Sequence, residues 1–204
     1  VEKPDQEAVP SRQFDISKID FDLLSREFAH TRRKNLLLRD LDELVNQQLS
    51  KMLFANPQRI DYYDRYQEII DAYNAEQNRA TIEKTFMDLM ELASSLDTEQ
   101  QRYVREGFSS DEELSVYDLL FSENLTKQEI ETIKKVSVDL LTKIKQQIAK
   151  LDHWTDKQET KAIVDNLIRN TLWQELPNSY DVSDIQTYQK KIYEYVYMRY
   201  PEVA

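Results

Sequence analysis

The sequence predicts an all-α chain, an irregular bundle of about eight or nine helices with one or two helical subdomains. Three observations carry that expectation. Only one glycine and five prolines occur in 204 residues. Hairpins and phosphate-binding loops use glycine where φ is positive, whereas helices joined by short loops need almost none. Apolar residues recur at helical spacing in one segment after another, and several segments open on Ser or Thr with Glu or Gln three positions later.

The elements follow in order. Residues 1–16, with Pro4 and Pro10 among polar neighbours, read as a linker or extended arm. The chain opens "VEKPDQEAVP" without an initiator Met, so it is expected to be a piece of a longer one. A short amphipathic helix is expected over Asp20–His30, with Phe21, Leu24 and Phe28 on one stripe. A long one follows over Asn35–Ala55, its apolar face fed by Leu37, Leu38, Leu41, Leu44, Val45 and Met52. Asn56 then stands as an N-cap with Pro57 at the first helical position, and Ile60, Tyr63, Ile70 and Tyr73 run down the next helix. Four later starts, Ser110/Glu113, Thr126/Glu129, Thr155/Gln158 and Ser183/Gln186, are spaced as capping boxes, and Leu125 and Ile130 sit where a hydrophobic staple closes around Thr126. Gly107 suits a left-handed position just past a helix end. These signals divide the chain into an N-terminal helical part, 17–108, and a C-terminal one, 109–204, or leave 17–204 as one continuous domain.

Charge narrows the function classes. Twenty-seven Lys and Arg face 38 Asp and Glu, a formal net charge of −11. Such a chain is a poor general ligand for nucleic acid or anionic membrane, where affinity comes from neutralising phosphates. Cysteine is absent, which excludes disulfides and thiolate metal sites and agrees with a cytoplasmic home. No apolar run approaches the roughly 20 residues of a membrane span.

Catalytic chemistry finds little purchase. A P-loop or a dinucleotide fold needs several close glycines, and Gly107 stands alone. His30 and His153 lie far apart and outside any HExxH pattern, so neither marks a zinc site. Asp152, Glu159 and Lys161 in "LDHWTDKQETKAIVDNLIRNTLW" match the Asp…Glu-x-Lys skeleton of Mg²⁺-dependent nucleases. That chemistry needs Glu and Lys on the same face of a strand. Here they follow Thr155 into a run whose apolar positions, Ala162, Ile163, Leu167 and Ile168, continue a helical period. On a helix, residues two apart point about 200° apart, so the pair diverges. The stretch reads as a helix start, and the expected sets of catalytic, cofactor-binding and metal-binding residues are empty.

Surface signals remain. Arg32, Arg33 and Lys34, with Arg39 one turn on, form the densest basic cluster, and Lys143, Lys145, Lys150, Lys157 and Lys161 a milder zone interleaved with acids. The tyrosines of "RIDYYDRYQEIIDAY" and "YQKKIYEYVYMRY" suit a stacking platform for single strands, but their spacing fits helix core or protein interface better.

Several strings together resemble the C-terminal helical region of the R subunit of type I restriction-modification enzymes. They are "FDLLSREF", "NPQRIDYYDRYQEIIDAYN", "TIEKTF", "EGFSSDEELSVYDLL" and "DHWTDKQETKAIVDNLIRNTLW". The resemblance runs from about Phe14 to the end. It implies a parent subunit that is an ATP- and Mg²⁺-dependent DNA translocase and endonuclease, with its nuclease and motor domains in other parts of the subunit. This chain carries none of those motifs, so it is expected to be non-catalytic and to need no cofactor itself. The expected partners are the methyltransferase M subunit and the motor domains of the same R subunit, with DNA contacted indirectly or weakly and no membrane. Trp154, Trp173 and Tyr197 are the candidate aromatic anchors of that docking, and Arg32, Arg33 and Lys34 its candidate charged partners. A Trp buried in the core would lose that role. The alternative is a DNA-guiding module whose basic helix ends contact duplex beside the motor.

Overall fold

The computed structural model describes residues 19–76 and 78–201. The arm expected over 1–16 lies outside the described residues. Among these, the chain forms nine α-helices and no strand: α1 Phe21–His30, α2 Lys34–Ala55, α3 Ile60–Ala75, α4 Arg79–Gln100, α5 Arg102–Arg105, α6 Asp111–Leu120, α7 Lys127–Ile148, α8 Gln158–Glu175 and α9 Val182–Arg199. A single 3₁₀ turn, Pro57–Arg59, stands between α2 and α3. The protein is all-α, as its glycine count implies.

The chain separates into two compact units. The first comprises the described residues of Val1–Leu49 together with Asp64–Asp97. Its core is built from Phe28 of α1, Leu38, Leu41, Val45 and Leu49 of α2, Tyr66 and Ile69 of α3, and Phe86, Leu89, Leu92 and Leu96 of α4. Phe28 stacks flat on Phe86, ring centroids 3.6 Å apart. The buried Tyr66 donates its hydroxyl hydrogen to Asp42 Oδ1 at 2.7 Å, which keeps the phenol from being an unsatisfied polar group. The inward stripe of α3 is therefore Tyr66 and Ile69, while Ile60 and Tyr63 of the expected stripe are exposed.

The second unit comprises Ser50–Tyr63 and Thr98–Ala204. Here α6 packs on α7, α7 on α8, α8 on α9, and α9 returns to α6, closing a four-helix arrangement. Six of the ten residues of α6 are buried, all beyond its acidic first turn, so its neighbours enclose most of the rest of the helix. In α7 the buried residues are Ile133, Val136, Ser137, Leu140, Leu141, Ile144 and Ile148, a stripe at three- and four-residue spacing facing the same core. Ser137 satisfies its hydroxyl on the carbonyl of Ile133.

Helix punctuation follows the sequence at some ends and departs from it at others. Asp20, Asn56 and Ser110 cap with their side chains, and Thr126 forms a full capping box with Glu129. Gly107 sits at φ +84°, where Phe108 N–H bonds to Tyr103 O and Gly107 N–H to Val104 O, the paired closure of a Schellman motif. The boxes expected at Thr155 and Ser183 do not form. Before α8, the burial of Trp154 fixes a turn that carries the chain past Thr155, so the helix starts after Lys157 with no side-chain cap. Before α9, Asp181 caps instead, because the buried Tyr180 bonds its hydroxyl to Leu120 O and delivers the chain to the helix two residues early. The inward face of α8 is Val164, Ile168, Thr171 and Leu172; Ala162 and Ile163 of the expected run are exposed.

Candidate interaction surface

The basic cluster lies at the α1–α2 turn of the first unit. Thr31 Oγ1 accepts from Arg33 N–H at 3.1 Å, and Arg32 and Arg33 are exposed. Lys34 is turned inward: its ammonium sits 2.6 Å from Glu83 Oε1 and 4.9 Å from the centre of the Phe28 ring. Bonding from Lys34, and then from Arg79, holds the Glu83 carboxyl below its ordinary range. Lys34 thus tethers α2 to α4, and only the two arginines of the trio stand outward.

The three aromatic candidates separate. Trp154 is 1% exposed and its Nε1–H donates to Tyr200 O at 2.6 Å. It is a core residue of the second unit, and that burial removes it from the surface anchors. The cause is local: an indole with a satisfied N–H gains more from burial than any other side chain in its loop. Trp173, on α8, is 49% exposed. Tyr197, on α9, is 38% exposed and rests edge-on against Trp154 at 5.7 Å, with Tyr193 stacked beside it at 6.1 Å. Lys161 lies over the Tyr197 ring at 5.7 Å. Gln189 donates to Asp165 at 2.9 Å, tying α9 to α8.

Glu159 and Lys161 both lie in the first turns of α8, Glu159 exposed to solvent and Lys161 directed at Tyr197. They diverge, as residues two apart on a helix must. Of the milder basic zone, Lys143 bonds Glu175 at 2.5 Å and Lys145 bonds Glu112, while Lys150 and Lys157 are exposed. His30 is the exposed last residue of α1. His153 takes a left-handed backbone, φ 45°, in the turn before α8. Among the described residues, no group of three or more His, Asp or Glu is arranged to hold a metal ion.

Two features of the second unit had no signal in the sequence. One is a buried ionic network. Arg59, in the 3₁₀ turn, is 4% exposed and makes a fork to Asp111, Nη1 to Oδ2 at 3.0 Å and Nη2 to Oδ1 at 2.6 Å, while its Nε reaches Glu99 Oε1 at 3.0 Å. Burial works against the charge of Arg59, but bonding and attraction from Asp111 and then Glu99 outweigh it and raise the pKa. Arg102 shares Glu99 and bonds Asp118, whose other partner is Asn56 Nδ2 at 2.6 Å. Burial pushes the Asp118 carboxyl up despite Arg102 and Asn56. In a chain with 38 acids, spacing alone distinguishes none of these. The other is at the end of α9, where Met198 is 70% exposed and its neighbour Arg199 lies over the ring of the exposed Phe54 at 4.8 Å.

Comparison with known families bears directly on this chain. The family described as "Type I restriction enzyme HindI endonuclease subunit-like, C-terminal" matches it over residues 7–200. The chain belongs to this family. It is a C-terminal domain of a type I restriction enzyme subunit, and the match takes in both compact units. No curated protein and no solved structure matches it. No helix among the described residues of this type I restriction subunit domain is long and apolar enough to cross a membrane.

Proposed function

We propose that this domain is a non-catalytic assembly module. It docks the ATP-dependent DNA translocase and nuclease of a type I restriction enzyme onto the methyltransferase M/S core, for the restriction of unmodified foreign DNA in the cytoplasm. The observation that carries the reading is membership, over residues 7–200, of a family defined by the C-terminal region of the endonuclease subunit. ATP and Mg²⁺ belong to the rest of that subunit, and the motor domains are the second partner. Trp173 and Tyr197 support the reading as large aromatic side chains held outward on α8 and α9, the type that dominates protein interfaces. Arg32 and Arg33 offer exposed charge at the rim of the first unit. The rival reading, guidance of duplex by basic helix ends, has less behind it. Lys143 and Lys145 already neutralise Glu175 and Glu112, so two of its cations are committed.

The test is retention of this chain on its own methyltransferase core at moderate salt, with and without DNA. Retention without DNA is expected, weakened about tenfold by Trp173→Ala and less by Arg32→Ala, since truncating a central aromatic costs upward of about 1–2 kcal/mol. Retention only in the presence of DNA would transfer the case to the guidance reading.

A further inference from the structure

The outward line of α8 differs from those of the helices beside it. Ile163, Asn166, Asn170 and Trp173 recur at three- and four-residue spacing and are all exposed, so they form one strip opposite the buried Val164 and Ile168. Glu159 lies one turn before the strip, which then carries no charge for about 15 Å of helix. The same line on α7 runs Lys127, Glu131 and Lys135, and that on α9 carries Lys190 and Glu194. Charge at successive turns is how a helix facing only water is dressed in a chain that is 32% charged. Asn inside a helix is a poorer helix former than Lys, Glu or Gln, and neither asparagine caps an end of α8. Ile163 and Trp173, 42% and 49% exposed, gain nothing from water either.

The chemistry of the strip selects its occupant. It is convex, one side chain wide, and carried by a helix whose backbone groups are bonded within it, so an added strand finds nothing to pair with. A second helix laid along it sets side chains between those of the strip at the same spacing. A carboxylate or ammonium pressed onto it would lose its water without meeting an opposite charge. The amides ask for polar but neutral neighbours. Arg169, at the edge, bonds Asn166 Oδ1 at 2.7 Å, which leaves the Asn166 Nδ2 hydrogens as donors, and the Asn170 amide offers a donor and an acceptor. Apolar side chains over them would strand those groups. We infer that α8 docks a helix of the methyltransferase core through this strip, a helix whose facing side is uncharged, with apolar side chains against Ile163 and Trp173 and amide or hydroxyl side chains against Asn166 and Asn170. The inference rests on the docking reading above and names the face and the partner chemistry that carry it.

The experiment is titration of the purified core against the immobilised chain, comparing the native sequence with Ile163→Lys, Ile163→Glu, Asn170→Asp and Lys135→Glu, the last a charge reversal on the outward line of α7. Circular dichroism melts check that each variant folds. Both signs of charge at Ile163, and Asn170→Asp, are expected to weaken binding about tenfold or more, with Lys135→Glu unchanged. The chain has no cysteine, so Glu159→Cys and Gln174→Cys, beside the two ends of the strip, each take one photo-crosslinker, and both are expected to capture the same helix of the core. Loss with one sign at Ile163 and gain with the other would mean a charged occupant, and native affinity in both folded variants would mean another face; either overturns the inference and leaves docking standing. No binding by the native chain would remove docking and the inference with it. If Ile163→Lys instead abolished self-association of the chain while core binding persisted, the strip would belong to a second copy.

Discussion

Arg59 is the hub of the second unit's buried ionic network. It joins the 3₁₀ turn to Glu99 at the end of α4 and to Asp111 at the start of α6, three segments brought together by one nearly buried side chain. A planar guanidinium can bond two carboxylates at once with fixed geometry, which an ammonium cannot reproduce. Removing one partner of a buried ion pair leaves the other as uncompensated charge, at a cost of about 3–5 kcal/mol. Arg59→Ala is therefore expected to lower the unfolding free energy by that amount in urea titrations. Adding Asp111→Ala to it should recover part of the loss, because the carboxylate that loses its fork goes with it, whereas Glu99 keeps Arg102. An Arg59→Ala effect below about 1 kcal/mol would mean that water reaches the network and screens it. The sequence offered no way to see this. Arg59 lies in a string that reads only as a helix start after Asn-Pro, and the partners come from residues 40 and 52 positions away.

At the level of elements, capping gives the sharpest contrast between what the sequence says and what packing decides. Asp181 accepts from Asp184 N–H at 2.8 Å and Asp184 returns to Asp181 N–H at 3.1 Å, whereas Ser183 falls inside the first turn of α9. Asp181→Ala is expected to cost about 1 kcal/mol and Ser183→Ala to fall within a few tenths of the native value. Equal losses would restore Ser183 as the cap. The existence of the helices and most of their ends were legible, because glycine scarcity, Asn-Pro, Thr126/Glu129 and Gly107 act through local backbone chemistry. The starts of α8 and α9 were not, since they are displaced by the burial of Trp154 and Tyr180, contacts that are long-range. The same limit governs the surface. Sequence supplied Trp173 and Tyr197 as large aromatics, but only the fold separates them from Trp154, and only the fold sets Phe54 beside Arg199.

Across the whole molecule, one titration pattern belongs to the second unit. Burial raises the pKa of Tyr62, Tyr117, Tyr180, Tyr188, Tyr193, Tyr195 and Tyr200, all of which lie in Ser50–Tyr63 or Thr98–Ala204. For Tyr180 the phenol is kept protonated by its buried setting and donates to Leu120 O at 2.7 Å. A phenol with its folded pKa above the unfolded value near 10 stays protonated in the native chain after the unfolded chain has released its proton. Its contribution is complete below about pH 10 and declines as the pH rises further. Each fully protected tyrosine steepens the decline by up to about 1.4 kcal/mol per pH unit. Urea midpoints measured between about pH 9 and 12 should therefore fall with rising pH, starting near the ordinary tyrosine range. Lysines also lose charge in this window, so the native slope alone does not isolate the phenols. Tyr180→Phe does: the lysines are untouched, and the variant should be less stable at pH 7 yet lose stability more slowly above pH 10, its curve converging on the native one. Parallel curves would assign the alkaline decline to the ion pairs, and the protection of Tyr180 by its bond to the end of α6 would have to be given up.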